Sequence, residues 1–232
     1  MVSSVTSERW RALLALVLLV PVPTLAVAAA LIWWPDRTMG RLLFGTGKLW
    51  LLVFPLLWHL GAENGWLSFS WPRRGGMGIG FLLGLAMAAI IVGGYVAVGR
   101  EWLETEKLRD VVRDLGMGTR GRFLAASVYW IVLNALVEEY VWRWFVFSQA
   151  ERLAGPVVGA LLSAAFFTAH HVLVLNAYLP RTPALLCSGG VFLAGLVWCG
   201  CYGRYRSVWP GYVSHVLADA AIFAVGWTVL FR

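Results

Sequence analysis

Of 232 residues, 60% are hydrophobic and 13% are charged, and the mean hydropathy is +0.73. A soluble domain carries about 25% charged residues, so a soluble fold is excluded; apolar runs of about 20 residues without alternation exclude a β-barrel as well. The net charge of +7 is spread over short loops. It reads as a topology signal and as affinity for anionic lipid head groups, not as a nucleic-acid surface.

Taken in chain order, the sequence predicts an all-α, polytopic membrane bundle. It has about seven transmembrane helices and one amphipathic surface helix, in a single integral membrane domain over residues 1–232. After a short polar start, Arg9 and Arg11 precede an apolar run over 12–34. Ala26-Val27-Ala28 has the form of a signal-peptide cleavage site. The run is nevertheless long enough to span and ends in Trp-Trp-Pro, so a retained first helix, kinked at Pro21 and Pro23, is expected. A second span is expected over 41–61, with Gly45, Gly47 and Lys48 weakening its first turns and His59 at its far end, at the interface. A third follows over 76–98, where Gly76, Gly80 and Gly84 recur every four residues and leave a smooth face for a packed helix. These spans make up the amino-terminal helices, 12–99.

Residues 100–117 carry Leu108, Val111, Val112 and Leu115 at i, i+3, i+4 and i+7 among charged positions that include Glu104 and Lys107, as in a surface-lying amphipathic helix. Spans over 123–147, 157–178, 184–202 and 208–230 complete the chain, and the last four form an expected catalytic core at about 121–230. Trp33, Trp34, Trp66, Trp71, Trp102 and Trp209 fall near span ends, as interface tryptophans do. Cys187, Cys199 and Cys201 lie in apolar surroundings without CxxC spacing and read as small hydrophobes.

Ionisable residues within these spans need a reason, because each costs about 2.5–3.5 kcal/mol on insertion scales. The fourth span carries Glu138, Glu139 and Arg143. Glu139 and Arg143 are four apart and share a face; Glu138 lies about 100° round and has no such local partner, which leaves it free to work. The fifth span carries His170 and His171, and the seventh His215 and Asp219. Spans four and five join near 150–156, and six and seven near 203–207 on the same side. At 1.5 Å per residue, Glu138 lies about 18 Å in, His171 about 22 Å and His215 about 13 Å. With some tilt the three clusters meet in one layer. A glutamate beside a histidine can hold and deprotonate a water, and a second histidine with an aspartate can orient or stabilise an oxyanion. HExxH is absent, although a glutamate and two histidines could bind Zn²⁺.

At these residues the chain resembles the CPBP family, the CAAX protease and bacteriocin-processing membrane proteins, itself similar to the type II CAAX prenyl endopeptidase. The motifs EExxxR, FxxxH and HxxxN/D stand here as Glu138-Glu139 to Arg143, Phe167 to His171, and His215 to Asp219. The resemblance implies an intramembrane endopeptidase in which Glu138 and His171 activate water, Arg143 with Glu139 is structural, and His215 and Asp219 form the oxyanion site. It also implies glutamate-type chemistry without a resident metal, so no cofactor is expected and Zn²⁺ is the less favoured alternative. Phe166 to His170 also fits the second motif. His171 is favoured because Ser163, Phe167 and His171 keep the family spacing, and His170 and Phe167 are then supporting residues. Asp219 stands where prenyl proteases have Asn; it acts protonated or else orients His215.

The expected substrate is a peptide or membrane-tethered protein, reached from the lipid of a plasma (inner) membrane. Two other readings use the same ionisable layer: a proton-coupled transporter, favoured by inverted repeats that are not visible here, and a non-proteolytic scaffold. The basic segment 100–122 is expected on the cytoplasmic side, which puts the amino terminus outside.

Overall fold

A computed structural model describes residues 2–35, 37–66, 68–103 and 105–231, with the side chains of 2–6 and 107 also left aside. Glu104 and the Lys107 side chain, counted above in the amphipathic segment, therefore lie outside what is described. Every regular element among the described residues is helical.

Among the described residues, six helices are long and apolar enough to cross a membrane. We label them α1 (Ser7–Trp33), α2 (Thr38–Ala62), α3 (Met77–Trp102), α7 (Arg181–Tyr205) and α8 (Trp209–Phe231), the sixth being the segment Arg120–Tyr178. At 59 residues this segment is too long for one crossing of a core about 30 Å thick. Gly155 divides it, with φ 80° and ψ 172°, a conformation open to glycine and strained for other residues. The chain folds back there, giving α5 (residues 120–154) and α6 (residues 156–178), and Pro156 sits at the start of α6, where its missing N–H costs nothing. A Cβ at Gly159 would press on Ala150 and Glu151, so glycine there allows the two legs to meet closely. The amphipathic stretch forms α4 (Thr105–Asp114). It is shorter than expected at its start, because Arg100–Trp102 continues α3. Val112, with Leu108 and Met117 beside it, packs on Phe123, Phe223, Trp227 and Leu230. The apolar face of α4 is thereby covered by the ends of α5 and α8.

Large apolar side chains such as Leu42, Leu57, Phe81, Leu82, Ile90, Leu185 and Leu193 point outward, as lipid-facing residues should. The centre is aromatic: Phe54, Trp142, Phe145, Phe167 and Trp198 are buried together with Leu16, Leu19, Val141 and Ala218. The glycine stripe of α3 packs on α8. A Cβ at Gly80 would run into the Pro210 carbonyl, and one at Gly84 would meet Leu217 and the Ser214 backbone. Gly47 does the same for α2 against α1, where an added Cβ would stand 2.7 Å from that of Ala26.

One end of the bundle is tied by polar contacts. Arg206 donates two hydrogen bonds to Glu151, at 2.6 and 2.8 Å. The α5–α6 elbow and the α7–α8 turn therefore share a side, as the alternation of spans predicts. Glu63, just past α2, pairs with Arg152, accepts a hydrogen bond from Gln149 at 2.6 Å and meets His59 Nδ1 at 3.0 Å. His59 is thus a partner in this clasp, where the sequence suggests only an interfacial residue. Arg9 donates to the Leu153 carbonyl at 2.8 Å, which brings the start of α1 to the same end. The cysteines are free thiols, Cys199 and Cys201 buried and Cys187 exposed.

Candidate active site

The clusters from α5, α6 and α8 converge on one cavity of about 350 Å³. Glu138, His170, His171, His215 and Asp219 all line it, as do Lys48 and Asn134. Apolar walls come from Pro23, Ala26 and Val27 of α1, Phe44 and Leu51 of α2, and Ile222 and Phe223 of α8. The chamber is thus mostly apolar and polar at one wall, the form in which a small number of groups can be aimed at a bound chain.

Glu139 is fully buried and Arg143 nearly so, with Nε 3.5 Å from Oε1. The pair foreseen from their spacing is present, and its setting is unusual. The guanidinium nitrogens of Arg143 have no hydrogen-bond partner. The group is instead sandwiched between aromatic faces, 4.5 Å from the Phe167 centroid and 4.8 Å from that of Trp198, where cation–π attraction replaces hydration. Phe167 is therefore a structural part of the site. Glu139 also takes a partner the sequence did not suggest: its Oε1 lies 3.0 Å from His215 Nδ1. Its Oε2 has no hydrogen-bond partner and rests against Gly211, where a Cβ would stand 2.5 Å away.

His215 is buried, and its ring stacks on Trp198 at 4.0 Å with 17° between planes. Its Nε2 lies 3.5 Å from Glu138 Oε2 and 3.8 Å from Asp219 Oδ2. One nitrogen is anchored by Glu139 while the other sits between two carboxylates in the cavity. The ring is held as in an acid–histidine pair, where a buried carboxylate fixes orientation.

His171 Nδ1 is 2.8 Å from the Phe167 carbonyl. A carbonyl only accepts, so Nδ1 carries the proton in that bond and Nε2 is left for other chemistry. His170 stacks nearly parallel on Trp142 at 5.5 Å, and its Nδ1 is buried without a hydrogen-bond partner. Both imidazoles reach the cavity. Glu138, His170 and His171 each offer one donor atom within 4.8 Å of the others, a set that can hold a divalent ion such as Zn²⁺.

Glu138 is not without a local partner, contrary to the expectation from its helical position. Asn134, four residues earlier on α5, donates from Nδ2 to Oε1 at 2.9 Å, and Lys48 of α2 donates to Asn134 Oδ1 at 2.8 Å. The nearest cation to Glu138 in this chain of bonds thus comes from another helix, through a neutral amide on α5 itself.

A buried layer of carboxylates and imidazoles lies around a chamber inside helices long and apolar enough to cross a membrane, and the protein is an integral, multi-pass membrane protein. In comparison with protein-family models, residues 120–221 match the type II CAAX prenyl endopeptidase Rce1-like family. The match contains α5, α6, α7 and most of α8, and with them all three motifs. No curated protein and no solved structure gave a match.

Proposed function

We propose that the protein is an intramembrane endopeptidase of glutamate type, hydrolysing a peptide bond in a membrane-associated peptide or protein. The observation that carries this reading is the geometry at Glu138. One carboxylate oxygen is tied by Asn134, and the other faces His215 across 3.5 Å in a cavity that also receives His171. Glu138, with Nε2 of His171, holds a water and takes its proton as the water oxygen attacks the scissile carbonyl carbon. The negative charge that develops on the carbonyl oxygen is met by His215 and by the protonated carboxyl of Asp219. A donor aimed at a developing oxyanion typically contributes about 2.7–4 kcal/mol. Glu138 then gives the proton to the leaving amine as the C–N bond breaks, which restores the carboxylate. Glu139 and Arg143 hold His215 and touch no substrate.

The apolar walls suit a lipid-bearing or hydrophobic chain, which agrees with a prenylated substrate. Glu138→Gln keeps shape and loses basicity. It should abolish cleavage of an internally quenched farnesylated CAAX-type peptide while the melting temperature in detergent stays near that of the wild type. Full turnover in that variant would overturn the reading.

The grouping of Glu138, His170 and His171 supports a metal-assisted alternative. Dialysis against a chelator distinguishes the two: the glutamate reading requires activity to survive, and loss of activity restored by Zn²⁺ would favour the metal.

A further inference from the structure

We propose that Lys48, acting through Asn134, is a positioning residue that fixes the Glu138 carboxylate for its work on water. The proposal rests on the reading of Glu138 as the general base and adds a helix outside the matched family segment to the catalytic apparatus.

A lysine inside a span costs about 2.5–3.5 kcal/mol on insertion scales and calls for a compensating role. Lys48 is held within α2, with its ammonium 5.1 Å from the Trp130 ring and 5.8 Å from that of Phe44. Its Nζ is 2.8 Å from Asn134 Oδ1. Because an ammonium only donates, the amide oxygen must face it and the amide nitrogen must face the other way. That nitrogen is 2.9 Å from Glu138 Oε1. Asn134 is itself buried, so the amide has no bulk water to turn towards. The chain of bonds can therefore run in one direction only, from cation through amide to carboxylate, and each bond polarises the next. It ends on an oxygen that must accept. Oε1 is thereby committed, and Oε2, the oxygen nearer His215, is the one left for water.

The charged and titratable groups that face Glu138 are Lys48 from α2, His170 and His171 from α6, and His215 and Asp219 from α8, with Glu139 beside it on α5. Among the described residues lining the cavity, Lys48 is the only lysine or arginine. Among these described residues it is also the one permanent cation that faces Glu138.

The test has two arms, both on the full-length chain. The first needs no substrate: melting temperatures of Lys48→Met, Glu138→Gln and the double variant in detergent. Coupling predicts that Lys48→Met lowers the melting temperature in the wild type and clearly less in the Glu138→Gln background; strictly additive shifts would overturn the proposal. The second arm uses the farnesylated probe peptide. Lys48→Met should lower kcat about 10- to 100-fold with KM little changed, the range for partners that orient a reacting or ligating group. Lys48→Arg should recover most of the loss, and Asn134→Leu should give the same fall with no further loss in combination with Lys48→Met. An unchanged kcat, or a change in KM alone, would overturn it. Should the wild type leave the probe intact, the proposed function fails on that substrate and the thermal cycle alone decides on Lys48.

Discussion

Arg143 shows how much a single position can carry. It makes one ion pair at 3.5 Å and lies between two aromatic faces, almost wholly out of contact with solvent. Removing one partner of a buried pair leaves the other charge uncompensated, at a cost of about 3–5 kcal/mol. Arg143→Ala should therefore reduce the amount of folded protein and its melting temperature sharply. Arg206→Ala removes a half-exposed bidentate pair and should cost no more than about 1 kcal/mol; thermal melts of the two variants side by side check the contrast. Gly211 makes the opposite kind of contribution, by what it lacks. A methyl there would press on Glu139 Oε2, and Glu139 is pinned by Arg143 and His215. Gly211→Ala should lower kcat through a displaced His215 while the protein still folds, which kinetics and a melt of the same sample would show together. The carboxylates, the histidines and Arg143 were legible in the sequence, because ionisable groups clustered in apolar spans stand out. Lys48, Asn134 and Gly211 were not. Their importance lies in contacts between helices far apart in the chain: Lys48 reads locally as a break in the first turns of its span, and nothing in local periodicity marks an asparagine or a glycine as someone else's partner.

At the level of helices, the spans were legible because apolar runs of crossing length need no tertiary information. The glycine stripe of α3 was also legible as a packing face, and the structure supplies its mate in α8. Gly80→Ala and Gly84→Ala push a methyl into backbone or a packed leucine, and overpacking of this kind costs about 1–3 kcal/mol. Gly45→Ala meets nothing within 4 Å and gains helix propensity of about 1 kcal/mol, so it should be neutral or stabilising. Melting temperatures of the three variants test the packing directly. The clasp at Glu63 was not legible, since it joins the end of α2 to an elbow some 86 positions later. Burial alone would raise the Glu63 carboxyl; hydrogen bonds from Gln149, Arg152 and His59, with the Arg152 charge, more than offset it and hold the group below its ordinary value. A depressed acid contributes stability that is present above the unfolded value, about 4.3 for glutamate, and is lost as pH falls through the folded value. The melting temperature should therefore drop on acidification through that range, and Glu63→Gln should flatten the drop.

For the whole molecule, seven crossings follow from the six apolar helices once Gly155 turns the longest back on itself. Residues near 75, 153 and 204 then share one face of the membrane, and residues near 35, 116 and 180 share the other. Single cysteines introduced at these places into a cysteine-free background should label from one side or the other in those two groups, with the second group cytoplasmic if the basic segment 100–122 orients the chain. Labelling of 75 and 153 from opposite sides would contradict the arrangement. The chamber itself has a divided origin. The carboxylates and imidazoles come from the segment 120–221 and α8, whereas much of the apolar wall comes from α1 and α2, which lie outside the family match. Swapping Pro23 and Val27 for bulkier or smaller groups should change which peptides are accepted while leaving kcat on the best-accepted peptide near that of the wild type, as a panel of probe peptides would show. A wall drawn partly from α1 and α2 around a polar cluster drawn mainly from α5, α6 and α8 means that the shape of the chamber can be altered at Pro23 and Val27 without touching the residues that carry its charge.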